Sequence, residues 1–401
     1  MRGVDKRWLV YGHYGGENTG DEAMLEGLAL AAGSGERPAS IVVASKGGKL
    51  SERLREAGVR SIPLEPTSIL RELPRCRVVV LGGGTHFHDD YDKARYRRQL
   101  VSLARIVVVG AIARALGKRV AWLGMGFGPF HRRRTRWITR LGLRMCDVVT
   151  VRDQASLREL TRLGAARNAR LTFDLSALLV DPARETPPPA SRTLIGVSAL
   201  SLSEIHGGDR RLDEVFWGRS AEALATVMAE RPDVRVRVVE MRGRSRHTDG
   251  QAVDRLVARL TETAADRVEI VPYSADPTAA LGAISECEAM ISSHYHAMML
   301  GYLAGRRLLG LPYHRKVRDL AEEIGLDAEA LVPIDPGTTS ELIRDRILRL
   351  VDDPDFGRPR LPVSIAVDRA SENLEGLEAE PTPGMRVEAA ARASLAGGTE
   401  R

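Results

Sequence analysis

The sequence predicts an α/β protein made of two Rossmann-like domains that face each other across a cleft. Short apolar segments alternate with longer amphipathic segments through most of the 401 residues, and a proline-rich stretch divides this alternation into two halves. Repeated strand–turn–helix units of this kind predict a doubly wound parallel sheet. A chain of this length also exceeds one ordinary hydrophobic core and fits two domains of common size.

The first half contains six predicted strands, most of them followed by a predicted helix. The segment 77–81 is wholly apolar after its arginine, as in strands that are buried on both faces of a sheet. Thr19 or Asp21 is expected to cap the first helix. The predicted strands cover 8–10, 41–44, 59–63, 77–81, 120–124 and 148–151, and the predicted helices cover 23–30, 51–57, 95–116, 134–145 and 154–163.

Three consecutive prolines at 187–189 cannot continue a helix and predict a stiff linker. We therefore place an N-terminal domain at residues 1–184, the linker at 185–192, a C-terminal domain at 193–355 and an extension at 356–401, whose end is expected to be disordered. After the linker the alternation restarts. Strands are predicted over 194–198, 234–241, 268–271, 289–292 and 308–311, and helices over 220–230, 251–261, 277–285 and 297–304.

Three glycine-rich turns, at 12–20, 82–90 and 125–130, follow predicted strands of the first half. Ligands of such sheets bind outside the carboxyl ends of the strands, where these turns would converge. The first turn leads into a helix, whose free N–H groups and positive dipole end favour an anion. Asp21 would repel a phosphate there, so it suits a group that holds hydroxyls or handles a proton. An ordinary βα turn is the alternative.

A second candidate site follows the predicted strand at 289–292. His296 lies at a predicted helix start, and Lys316 follows the next predicted strand. Histidine titrates near neutral pH and can give or take a proton, while lysine binds a phosphate or carboxylate as a point charge. This pair therefore predicts acid–base chemistry beside an anion site.

Composition excludes several other classes of protein. No apolar run reaches the roughly 18–20 residues that a membrane span requires. The first residues contain no signal-peptide core, so a cytoplasmic location is expected. Aromatic residues are only 4% and no RNA-binding signature or helix-turn-helix stands out, so no nucleic-acid partner is expected. The net charge of +6 permits attraction to anionic ligands or lipid head groups.

Taken together, these motifs resemble the polysaccharide pyruvyl transferase family over most of residues 8 to 330. Residues 12–23 (GHYGGENTGDEA) resemble the family's opening loop, and residues 82–84 (GGG) and 124–129 (GMGFGP) resemble its two further glycine turns. Residues 151–153 (VRD) and Asp174 match further family positions. Residues 293–297 (SHYHA) and 313–317 (YHRKV) fall where the family typically shows Arg-Leu-His-Ala and Tyr-Asp-x-Lys-Val.

The resemblance implies a fold similar to the GT-B glycosyltransferases and transfer of a pyruvyl group from phosphoenolpyruvate to two hydroxyls of a sugar or glycan. The products would be a cyclic ketal and phosphate, with phosphoenolpyruvate as co-substrate and neither a further cofactor nor a metal. On the matched positions, His296 would do acid–base work and Lys316 would bind the anionic end of the donor. Asn18 and Asp21 would hold sugar hydroxyls, with Asp21 alternatively acting as the base.

Further substrate-binding residues are expected in the same motifs. The glycine turns would offer backbone N–H groups, and the second half would add an imidazole and a guanidinium. These residues are Gly15, Gly16, Gly83, Gly84, Thr85 and Gly126 in the turns, and His294 and Arg242 in the second half.

Two departures leave the donor open. His294 stands where the family usually carries an arginine, and residues 199–201 stand where many relatives have another. A neutral imidazole cannot replace the bidentate fork of a guanidinium. Arg242 or Arg244 could compensate from a neighbouring strand end, and a family member with an altered donor is the alternative.

Three other functions compete with this interpretation. A glycosyltransferase that uses a nucleotide sugar fits the architecture equally, although the second half shows no clear Glu-x7-Glu spacing. Residues 86–90 (HFHDD) and 294–296 (HYH) suggest a zinc hydrolase, although this spacing in loops is more often incidental. The missing arginines also fit a scaffold without activity. Whether the acceptor is lipid-linked, whether the protein touches the inner membrane face and whether it forms oligomers stay open.

Overall fold

The computed structural model describes residues 7–34, 39–48, 50–90, 93–183, 189–190, 193–202 and 210–377. Within these ranges the chain forms two wholly parallel sheets in two α/β domains, which confirms the predicted fold class. The first sheet has seven strands in the order β3-β2-β1-β4-β5-β6-β7, and the second has five in the order β10-β9-β8-β11-β12.

The first domain begins with β1 and ends with β7. Its strands are Arg7–Tyr11 (β1), Ser40–Ser45 (β2), Arg60–Pro63 (β3), Val78–Gly82 (β4), Arg119–Met125 (β5), Val148–Val151 (β6) and Ala169–Leu171 (β7). Its helices are Thr19–Gly33 (α1), Glu52–Glu56 (α2), Pro66–Glu72 (α3), Lys93–Ala115 (α4), Arg133–Leu143 (α5) and Gln154–Arg162 (α6).

The second domain repeats the alternation and continues into further helices. Its strands are Leu194–Ser198 (β8), Arg235–Val239 (β9), Val268–Val271 (β10), Ala289–Ser292 (β11) and Arg307–Gly310 (β12). Its helices are Arg210–Glu230 (α7), Asp249–Ala264 (α8), Pro277–Ser285 (α9), Tyr295–Leu303 (α10) and Arg315–Glu323 (α11), followed by Ser340–Asp352 (α12) and Val363–Ser371 (α13).

The first sheet is buried on both faces. Along β1, Trp8 and Val10 pack into one hydrophobic cluster while Leu9 and Tyr11 pack into another. Successive side chains of a strand point to opposite faces, so a central strand covered by helices on both sides must be apolar throughout. This explains why the segments that predict β1 and β4 show no alternation of polar and apolar residues.

The strand order of each sheet reverses once, between β1 and β4 in the first sheet and between β8 and β11 in the second. Loops on either side of such a reversal diverge and leave a crevice at the carboxyl ends of the strands. The loops after β1, β4 and β11 therefore lie at the crevices, and the loop after β12 follows the strand beside β11.

Several predicted boundaries are wrong. Helix α1 starts at Thr19 rather than at residue 23, and its N-cap is Asn18, whose side chain accepts from the amide of Gly20. Neither predicted cap holds this position, because Thr19 and Asp21 already lie in the first turn. Helix α7 starts at residue 210 rather than 220, and β9 is shorter than predicted. Strand β7 and helices α3, α11, α12 and α13 were not expected from the sequence.

The start of the predicted extension returns to the first domain. Asn373 follows α13, and its amide donates to the carbonyl of Phe173 at 3.0 Å while its side-chain oxygen accepts from Thr172 at 2.8 Å. Residues 185–188 and 191–192 of the predicted linker and residues 378–401 of the extension lie outside the described residues. The domain boundaries stay predictions. No helix within the described ranges is long and apolar enough to cross a membrane.

Candidate active site

A cavity of about 310 Å³ lies where the carboxyl ends of the two sheets face each other. Both domains supply its walls, and eight of the predicted site residues lie among them. Those eight are Asn18, Asp21, Gly84, Thr85, Arg242, His294, His296 and Lys316. The other lining residues are His13, His88, Asp90, Arg152, Met241, Tyr295, Tyr313 and His314.

His296 lies in the first turn of α10, directly against the first turn of α1. A Cβ placed on Gly20 would lie only 1.9 Å from His296 Nδ1, so this contact requires glycine. On the other side of the ring, Nε2 lies 3.8 Å from Asp174 Oδ2 and has no hydrogen-bond partner among the described residues. The loop that carries Asp21 therefore lies against His296.

Asn18 orients Asp21. The Asn18 Nδ2 group donates to Asp21 Oδ2 at 2.7 Å, while Asn18 Oδ1 caps α1 through the amide of Gly20 at 3.3 Å. The cap therefore fixes the carboxylate that follows it. Asp21 and His296 consequently line one cavity from opposite domains.

Arg152 is a buried cation of the site that was not among the site residues proposed from the sequence. Its Nη1 lies 3.1 Å from Asp174 Oδ2, and its Nη2 donates to Thr85 Oγ1 at 3.0 Å. The guanidinium also stacks 4.2 Å from the ring centre of Tyr295. Its only sequence signal was its place directly after strand β6, within the segment that resembles the family.

Charge on the Arg152–Asp174 pair is stable at neutral pH. Burial alone would lower the pKa of Arg152, but Tyr295 and Asp174 raise it above its ordinary value. Burial would likewise raise the pKa of Asp174, yet His296 and then Arg152 bring it well below its usual range. Asp174 therefore presents a carboxylate to the His296 ring, and it also caps the following turn through the amide of Ser176.

His294 lines the cavity without supplying the charge of the arginine that the family shows. Its Nε2 lies 3.3 Å from Asp249 Oδ2 and 3.2 Å from the carbonyl of Ala199. Burial lowers the pKa of His294, and Asp249 only partly offsets this effect. Arg242 lies 3.7 Å from the same carboxylate and reaches the cavity, whereas Arg244 pairs with Glu240 and Asp254.

Lys316 enters the cavity from the first turn of α11. His314 caps this helix, since its Nδ1 accepts from the amide of Lys316 at 3.2 Å. Lys316 makes no ion pair with a carboxylate in the part of the chain that the structure describes. Burial, followed by the charge of Lys316, lowers the pKa of His88 to about 4, so this neighbouring imidazole is neutral.

Four glycines of the predicted site do not line the cavity, and their peptide groups bond to other parts of the protein. The amide of Gly15 donates to Glu22 at 2.8 Å, that of Gly83 to Leu123 at 2.8 Å and that of Gly126 to Gly84 at 3.0 Å. The carbonyl of Gly16 contacts the His247 ring at 3.0 Å. Gly15, Gly16, Gly83 and Gly126 therefore lie outside the cavity lining, and the amides of Gly15, Gly83 and Gly126 are already hydrogen-bonded within the protein.

The histidine pairs do not form a metal centre in the described residues. His86 Nε2 lies 2.9 Å from the carbonyl of Gly83, and its ring packs against that of His13 at a tilt of 37° with centres 4.4 Å apart. Across the described ranges, no group of three or more histidine, cysteine, aspartate or glutamate side chains is arranged to hold a metal ion.

Comparison with known proteins identifies a family and a fold. A family model described as polysaccharide pyruvyl transferase matches residues 18–315 of the chain. No curated protein sequence matches the chain at a significant level.

Solved structures with similar folds include two UDP-N-acetylglucosamine 2-epimerases. The enzyme from Neisseria meningitidis, solved with UDP-N-acetylglucosamine bound, aligns with a TM-score of 0.57 at 11% identity over 96% of this chain and 100% of its own. The enzyme from Methanocaldococcus jannaschii aligns with a TM-score of 0.59 at 11% identity, over 90% of this chain and 98% of its own. A glycosyltransferase from Rickettsia africae aligns with a TM-score of 0.52 at 11% identity, over 97% of this chain and 98% of its own. At these identities the likeness concerns the fold alone, which is GT-B-like.

Proposed function

Because this chain belongs to the polysaccharide pyruvyl transferase family, we propose that it moves a pyruvyl group from phosphoenolpyruvate onto two hydroxyls of a sugar or glycan. In this reaction C3 of the donor gains a proton as the C2=C3 π bond is lost, and C2 forms two bonds to acceptor oxygens. The C2–O bond to phosphate breaks. Of the two hydroxyl protons released, one balances the proton added at C3 and the other leaves with phosphate or solvent.

The observation that carries this proposal is the joint lining of one cavity by Asp21 and His296 from opposite domains. Ketal formation needs a proton donor at the enol methylene and a base for the attacking hydroxyls. His296 would be the donor, because its imidazole lines the cavity with Nε2 3.8 Å from the Asp174 carboxylate. Asp21, held by Asn18, would accept the hydroxyl proton.

Cations for the donor's phosphate and carboxylate lie in the same cavity. Lys316 would take one anionic group as an unpaired point charge, and Arg152 and Arg242 add guanidinium groups. Arg242 would thereby compensate for the neutral His294. Gly84 and Thr85 would position the donor from the first domain.

The test is to incubate the protein with phosphoenolpyruvate and a panel of glycans, and to measure phosphate release together with the mass gain of the acceptor. We expect phosphate release that depends on the glycan and a mass gain equal to one pyruvyl ketal. Thermal stabilisation by UDP-N-acetylglucosamine, which the Neisseria epimerase binds, without any by phosphoenolpyruvate would instead favour a nucleotide-sugar enzyme.

A further inference from the structure

A second cavity, of about 640 Å³, forms an apolar groove beside the candidate active site. Helix α3 supplies Ile69 and Leu70 to one side, and α4 supplies Val101, Val108 and Ile112 to the other. His13 lines both this groove and the active-site cavity. The groove therefore adjoins the proposed site of pyruvyl transfer at His13.

Several of the apolar side chains that line the groove are exposed to solvent. Leu70, Val101 and Val108 are 43%, 51% and 54% exposed. Single exposed apolar residues are ordinary on a protein surface, but a contiguous set along a groove marks a binding surface. On α4 the stripe follows helical spacing, with Val101, Arg105, Val108 and Ile112 on one face.

Two cations lie in this mainly apolar lining. Lys46 and Arg105 both line the groove, and neither forms an ion pair with a carboxylate among the residues described. The amide of Lys46 donates to the carbonyl of Tyr14 at 2.9 Å, so Lys46 lies beside the loop that carries His13. The phenol of Tyr11 also lines the groove, is 5% exposed, and has a hydroxyl without a hydrogen-bond partner in the described structure.

We propose that this groove binds the lipid part of a lipid-linked acceptor, a hydrocarbon chain that ends in a phosphate carrying the sugar. The hydrocarbon would lie between α3 and α4, the phosphate would contact Lys46 and Arg105, and the sugar would extend past His13 toward Asn18 and Asp21. The groove and the adjoining cavity together provide apolar side chains, two cations and hydroxyl-binding residues, which are the groups that the three parts of such a molecule would contact. The identity of the sugar end as acceptor rests on the proposed function.

Binding is tested without any pyruvyl transfer. Isothermal titration of the full chain with decyl phosphate, below the concentration at which it forms micelles, provides the probe. We expect Val108→Asp to weaken binding by at least about tenfold, because a carboxylate in the groove opposes both the chain and its phosphate. Val215→Asp is the matched control, since Val215 is a 43% exposed valine on helix α7, outside the groove lining, and should bind like the wild type.

Further binding measurements test where the phosphate group of decyl phosphate binds. Lys46→Gln should weaken decyl phosphate while leaving the weaker binding of decanol unchanged, and inorganic phosphate alone should not compete. Val101→Asp provides a second groove variant if Val108→Asp lowers the thermal stability.

Equal affinity of the Val108→Asp and Val215→Asp variants would overturn the proposal, as would the absence of binding to the wild type. Vesicle binding or dimerisation that depends on Val108, without decyl phosphate binding, would reassign the groove to a bilayer surface or to a second copy of the chain and would equally overturn it. Failure of the proposed function is distinguishable, because then decyl phosphate binds while no phosphate is released from phosphoenolpyruvate.

Discussion

Lys316 combines a cavity position with a charge that no described carboxylate neutralises. We expect Lys316→Ala to raise the KM for phosphoenolpyruvate by roughly 10- to 100-fold with a smaller effect on kcat, since a charge-assisted contact to the donor is lost. Arg318→Ala is the control, because Arg318 is an exposed cation on the same helix α11 and does not line the cavity. Initial rates over a range of donor concentrations provide the measurement, and an unchanged KM would remove Lys316 from donor binding.

Gly20 has no side chain, and the His296 ring occupies the space that a Cβ would fill. Gly20→Ala should reduce kcat by roughly 100-fold, because the added methyl group displaces the ring from its working position. Gly218→Ala is the matched control, since Gly218 lies in helix α7 with nothing within 4 Å of the added Cβ. The control should keep full activity and gain about 1 kcal/mol of stability. Equal activity of the two variants would contradict the role assigned to this contact.

The first turn of α1 carries a carboxyl group with a strongly altered titration. Burial is the main cause that raises the pKa of Glu22 to about 7, and its acceptance of the Gly15 amide only partly opposes this. In the unfolded chain the group ionises near pH 4.5, so the folded state binds the extra proton between that pH and about 7. Stability therefore falls as pH rises through this window.

Glu22→Gln should remove that loss, because the amide oxygen can still accept from Gly15 without carrying a charge. We expect a higher Tm than the wild type at pH 8, by an amount equivalent to roughly 1–3 kcal/mol, and a much smaller difference at pH 5. Glu56→Gln, at an exposed position of α2, should change neither value. A Tm difference of equal size at both pH values would show that Glu22 does not titrate in this way.

The elements were predictable because their signals are local. Apolar runs marked β1 and β4, and glycine turns marked the loops that follow them. The start of α1 was missed because Gly20 sits in its first turn to accommodate His296, a contact made across the two domains. The hydrogen bonds that the amides of Gly15, Gly83 and Gly126 donate within the protein could not be predicted either, because their acceptors are brought close only in the folded structure.

Some side-chain roles could be proposed from the sequence, and others could not. His296, Asp21 and Lys316 could be proposed from sequence because they stand at element starts with suitable chemistry. The burial of Arg152 against Asp174 and the pairing of His294 with Asp249 join residues 22 and 45 positions apart, so no local pattern reports them. The groove between α3 and α4 was missed because α3 itself was not predicted.

At the level of the whole chain, the loop before α1 joins the two domains. The amide of Thr19 donates to the carbonyl of Met241 at 2.9 Å, and the amide of Gly243 donates to that of Glu17 at 2.9 Å. Glu17 adopts a positive φ of 58°, which an L residue rarely takes and which this interlocked loop maintains. The loop that carries Asn18 and Asp21 is therefore anchored to the domain that carries His296.

The central claim is that Asp21 and His296, from opposite domains, act in one pyruvyl transfer site. The most direct test is a double-mutant cycle on glycan-dependent phosphate release from phosphoenolpyruvate, with Asp21→Asn, His296→Gln and the double variant. Each single change should cost roughly 100-fold or more in rate, and the double variant should be little slower than the slower single variant. Losses that multiply in the double variant, or a wild type that releases no phosphate, would contradict it.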